Sequence, residues 1–181
     1  MTKLPEIFHL FPKLLAQIIL LTASAALASC GLQPLYSGGA NGVVATGLGH
    51  VQVEPIKGKA GWLVRNALND QLSHFDGSET KYRLVVELDD KIAGFGVRSN
   101  DRITRERRTL RARYQLVRLS DDAVMLDATA GSDAGIDVVS SEYATVVAEE
   151  TALENLSKIV ADQIVTRLSL FARKQASDSS E

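Results

Sequence analysis

The 181-residue chain is 45% hydrophobic and 23% charged, with a formal net charge of −2. Such values suit one globular domain with appendages and exclude a chain too polar to bury a core. A single cysteine, Cys30, excludes an internal disulfide, and the scattered His9, His50 and His74 offer no metal-ligand spacing.

Lys3 and Lys13 precede the apolar run LLAQIILLTASAAL, residues 14–27, and Ala28 and Ser29 follow it. That is the order of a signal peptide: basic region, apolar region, small residues at the cut. The run is shorter than the roughly 20 residues that span a bilayer, which disfavours a permanent transmembrane helix. The tetrapeptide LASC resembles the lipobox of bacterial lipoproteins, so residues 1–29 are expected to be a lipoprotein signal peptide and Cys30 the lipidation site and mature N-terminus. The alternative is an ordinary secretory signal beside an incidental thiol. Gly31 stands where Asp would be the familiar inner-membrane retention signal, so the lipobox resemblance favours the outer membrane. Residues 30–49, containing YSGGANGVVATGLG, read as a flexible tether that lifts the domain off the lipid surface.

HVQVEPI alternates and ends in Pro55 and Ile56, a short strand. From about Ala60 to Phe75, Val64, Ala67, Leu68 and Leu72 recur at helical spacing, and Asp76-Gly77 ends the helix. TKYRLVVELDD alternates with Tyr82, Leu84, Val86 and Leu88 on one face, which predicts a half-buried strand. Leu110, Ala112, Tyr114 and Leu116 repeat the pattern; with the turn residues Ser120-Asp121-Asp122 they predict a hairpin of about 107–119 with 123–130. SDAGIDVVSSE reads as a loop. From Ser141 a long helix carries the stripe Ala148, Ala152, Leu156, Ile159, Val160, Ile164, Leu168 and Phe171, and KQASDSSE, residues 174–181, reads as a polar, frayed tail. The expected fold is therefore α+β over residues 50–173. It is a two-layer sandwich in which a mostly antiparallel four-stranded sheet is covered by two helices, in the order β-α-β-β-β-α.

Convergent reactive groups are missing from this pattern. Asp89-Asp90 and Glu149-Glu150 are adjacent acids that an element points to different sides, and Gly94-Phe95-Gly96 lacks the rest of a phosphate loop. No nucleophile with an identifiable base appears, so no enzyme activity, no metal and no cofactor are expected.

One charge pattern stands out. Arg98, Arg102, Arg105, Arg107, Arg108, Arg111 and Arg113 face only Asp101 and Glu106 in the same segment, a local charge of +5. Guanidinium grips phosphate and carboxylate bidentately, so an all-arginine cluster suits a phosphorylated ligand or an acidic surface. Arg111 and Arg113 are expected to cover the hairpin's solvent face and pair with acids. For Arg98, Arg102, Arg105, Arg107 and Arg108 a ligand role and a structural role stand equally open. Nucleic acid is not an expected partner, because export removes the chain from it and no aromatic residues interleave the arginines.

With LASC, CGLQPLY, GWLVRNALNDQL, YRLVVELDD, RRTLRARYQLV and YATVVAEETALENLSKIVADQIVTRL, the chain from Cys30 to about Arg173 resembles the LPS-assembly lipoprotein family, LptE. The resemblance implies an α+β sandwich lodged in the outer-membrane β-barrel LptD, lipid-anchored on the periplasmic side. There it would plug the barrel, help it assemble and bind lipopolysaccharide during export. The arginine cluster then suits the phosphates of lipid A and core. The alternative is an auxiliary lipoprotein of a lipid-transport ABC system.

Overall fold

Period-two alternation sets the sheet. In the computed structural model, which describes residues 42–75, 77, 79–97 and 103–179, Leu84, Val86, Leu110, Ala112, Tyr114 and Leu116 are all buried on one face. The expected signal peptide, Cys30, the expected tether up to residue 41, Arg98 and Arg102 lie outside the described residues.

In chain order the elements are α1 (Val43–Leu48), β1 (Val51–Val53), α2 (Gly58–Leu72), β2 (Tyr82–Val97), β3 (Ile103–Arg118), β4 (Val124–Asp137) and α3 (Glu142–Asp178). The sheet order is β1-β2-β3-β4. β2–β3 and β3–β4 are antiparallel, whereas β1 runs parallel to β2. The sheet is thus mixed, because α2 serves as the crossover that a parallel pair requires. Register places Leu84 opposite Leu116, Val86 opposite Tyr114 and Leu88 opposite Ala112. Ala128 lies opposite Tyr114, so a small residue accommodates the large ring.

α3 lies over β3 and β4, with α2 beside it. Its Leu153, Leu156, Val160, Ile164, Val165 and Leu168 are buried, and α2 contributes Val64, Leu68 and Leu72 to the same core. The Ser141 hydroxyl accepts a hydrogen bond from the Ala144 N–H at 3.4 Å and so caps α3. One sheet face is therefore covered by helices, and the other, made of the odd-numbered residues of β2, of β3 and of β4 from Asp127 onward, past a register shift near Leu116, is not.

Three expectations are corrected. Residues 43–48 form α1 instead of continuing the tether, because Val44, Ala45 and Leu48 bury against the core; a Cβ on Gly47 would come within 2.8 Å of the Ala172 Cβ, so helix α1 sits tight on α3. β4 runs through SDAGID to Asp137, since β3 supplies a partner for every residue from Gly131 to Asp137. α3 extends through Lys174 to Asp178, past the expected frayed end.

Leu156 is 1% exposed in the middle of α3. Leu156→Ala should lower the unfolding free energy by about 2–5 kcal/mol, read from urea denaturation with an unchanged m-value.

Candidate functional site

Because side chains alternate across a strand, β3 sends its arginines to two different places. Arg105, Arg107, Arg111 and Arg113 lie on the uncovered face, in a row along a central strand; Arg108 lies on the helix-covered face. Next-but-one residues on a strand are about 7 Å apart, so Arg105 and Arg107 can both reach one multiply phosphorylated group.

The row is not uniformly free. On the uncovered face Arg111 Nη2 contacts Asp133 Oδ2 at 3.1 Å, Arg113 Nη2 contacts Asp127 Oδ2 at 2.9 Å and Arg105 Nε contacts Asp137 Oδ1 at 3.0 Å. The Thr109 hydroxyl, with the Arg111 guanidinium, holds Asp133 below the usual carboxylate range, and Arg113 and Gln115 do the same to Asp127. Arg107 differs. No carboxylate among the described residues pairs with it, and its guanidinium carbon sits 5.2 Å from the centroid of the Phe95 ring. Its cross-strand neighbours are Ala93 and Gly135, and nothing lies within 4 Å of the place a Gly135 Cβ would take. Small neighbours thus flank Arg107 on both adjacent strands, with Arg105 and Lys91 one row to either side.

Arg108 is committed elsewhere. Its Nε and Nη2 donate to the two Asp90 carboxylate oxygens at 2.9 and 2.6 Å, and its Nη1 donates to the Glu149 carbonyl at 2.9 Å. The two side chains are only 12% and 24% exposed, so this bidentate pair ties the far end of the sheet to the start of α3. Glu106 lies on the same face. Its Oε2 is buried with no hydrogen-bond partner among the described residues, and burial, reinforced by the Glu149 carboxylate, raises its pKa.

Of the five arginines singled out on sequence, then, Arg105 and Arg107 come together on the open face, Arg108 does not join them, and Arg98 and Arg102 lie outside the described residues. Sequence reasoning passed over Phe95 and Glu106. The parity of residue numbers along β3 was the available signal that separates Arg108 and Glu106 from Arg105 and Arg107.

The His50 Nδ1 donates to the Glu79 carbonyl, a structural bond at the end of β1. Among the described residues no group of three or more His, Cys, Asp or Glu could hold a metal ion, and no helix is long and apolar enough to cross a membrane.

A family model described as LptE, Lipopolysaccharide-assembly, matches residues 48–168. No curated protein matches the sequence. Among solved structures, a Caulobacter crescentus CB15 protein described as a lipoprotein aligns with a TM-score of 0.61 at 23% identity, covering 75% of this chain and 98% of that one. Lipoprotein B from Nitrosomonas europaea aligns at 0.54 and 13% identity, covering 68% and 84%. A minor lipoprotein from Acinetobacter baumannii aligns at 0.53 and 15% identity, covering 66% and 91%. At such identities these structures establish the shared fold alone.

The two faces predict opposite mutational behaviour. Arg108→Ala strands the Asp90 carboxylate and should cost about 1–3 kcal/mol of stability, whereas Arg107→Ala should stay within about 0.5 kcal/mol of wild type in the same denaturation assay. The raised pKa of Glu106 means that the folded state holds its proton more tightly than the unfolded chain does. Its contribution is present below the unfolded value of about 4.3 and is lost as pH rises through the folded value. Unfolding free energies measured across that window should fall for wild type relative to Glu106→Gln.

Proposed function

The chain belongs to LptE, the lipopolysaccharide-assembly family, and on that premise we propose that it is a lipid-anchored partner of the outer-membrane barrel LptD, with the open face of its sheet contacting lipopolysaccharide. The family is one of non-enzymatic lipoproteins with a role in lipopolysaccharide assembly. Cys30 carries the acyl anchor on the periplasmic side of the outer membrane, and the residues after it connect the anchor to the domain. The domain plugs the barrel and helps it assemble.

The observation that carries the ligand reading is the arginine row on a sheet face that no helix covers, with Arg107 lacking a carboxylate partner among the described residues. A guanidinium held by an aromatic ring and flanked by small residues is preorganised for an incoming phosphate oxygen. Arg105 supplies a second contact by exchanging Asp137 for phosphate; their ion pair is exposed and weak. Arg111 and Arg113 stay committed to Asp133 and Asp127. Arg108 holds the framework.

The test is binding of purified protein to lipopolysaccharide. The pair Arg105→Glu and Arg107→Glu should weaken it by about 10- to 100-fold, consistent with losing roughly 1.4–3 kcal/mol of charge-assisted contact, and added salt should weaken wild-type binding in the same direction. Unchanged affinity in a folded variant removes the face from the ligand reading. The partner and anchor are tested separately, by affinity purification from solubilised membranes and mass spectrometry of the mature N-terminus. A large outer-membrane barrel and an acylated Cys30 are expected; an ATPase and permease complex would point to the ABC-system alternative.

A further inference from the structure

β4 is the outermost strand of the sheet, and every second residue of it turns an N–H and a C=O outward. An outermost strand of 14 residues is long enough to template pairing with another chain. Its middle carries no side chain at Gly131. Bulk is barred there: a Cβ on Gly131 would overlap the Arg111 side chain crossing it on the open face and would lie 2.9 Å from the Leu110 carbonyl oxygen.

At that residue the helix layer reaches round the sheet edge. The Gly131 N–H donates to Gln163 Oε1 at 2.9 Å, and Gln163 Nε2 donates to the Gly131 carbonyl at 3.4 Å. One primary amide thus meets both outward groups of one residue, as a neighbouring strand would.

We infer that Gln163 is an intramolecular stand-in for a strand and keeps β4 from pairing edge to edge with a second copy of this chain. The register explains why a second copy is the partner to exclude. An antiparallel pairing of two β4 strands centred on Gly131 places Asp127 opposite Gly135, Thr129 opposite Asp133 and Met125 opposite Asp137. No acid opposes an acid, so charge alone does not prevent it. With Gln163 in place, the central pair of hydrogen bonds in such a ladder is already occupied.

The experiment uses the full chain in detergent. Hydrogen exchange followed by NMR should show the wild-type Gly131 amide exchanging at least about ten-fold more slowly than those of Thr129 and Asp133, which also face outward; equal rates overturn the inference without any variant. Gln163→Ala and Gln163→Lys, both at an exposed position, should then raise the dimer fraction in light scattering at a fixed concentration. Adding Thr129→Pro, which deletes an outward N–H, should reverse the gain. Monomeric Gln163 variants, or dimers that persist with Thr129→Pro, overturn it.

Discussion

The buried stripe of α3 against the inner face of the sheet is the contact on which the rest of the domain depends. Leu153, Leu156, Val160, Ile164 and Leu168 meet the alternating apolar residues of β3 and its neighbours, while α1 and α2 pack against the same helix. By occupying one face, α3 leaves the opposite face without a helical cover. The arginine row is exposed for that reason, and Arg108 is enclosed for the same reason. A displacement of α3 would therefore alter the core and the Arg108–Asp90 pair together.

Much of this was legible in the residues. The alternation in YRLVVELDD and TLRARYQLV is strong because large apolar side chains recur every second position, and those strands lie where the pattern puts them. SDAGID misled because Ser, Gly, Ala and Asp carry turn chemistry when read locally, and only the longer β3 beside it makes that segment a strand. α1 was hidden for a related reason: VVATGL is flanked by glycines, and its helix is stabilised by burial against residues more than a hundred positions later. The mixed sheet follows from α2 acting as a crossover, which the order of elements permits but does not dictate.

The arginine cluster shows the same division between composition and geometry. Composition grouped seven residues by nearness along the chain. Geometry separates the five described ones by face and by partner, and partner identity decides availability. Cross-strand acids at 127, 133 and 137 engage three of the four arginines on the open face, and Gly135 stands where a further acid could have engaged the fourth. An electrostatic surface that is nearly neutral in sum can therefore keep one cation available for a ligand.

The packing of α1 on the far end of α3 carries a consequence for synthesis. Gly47 touches Ala172, so almost the first and almost the last described residues share one contact. β2, β3 and β4 can pair as they emerge, but α1 has no surface to settle on until the C-terminal helix has been made. The piece that locks the structure is therefore the last to be made, and the leading segment stays unlocked until the trailing one is complete.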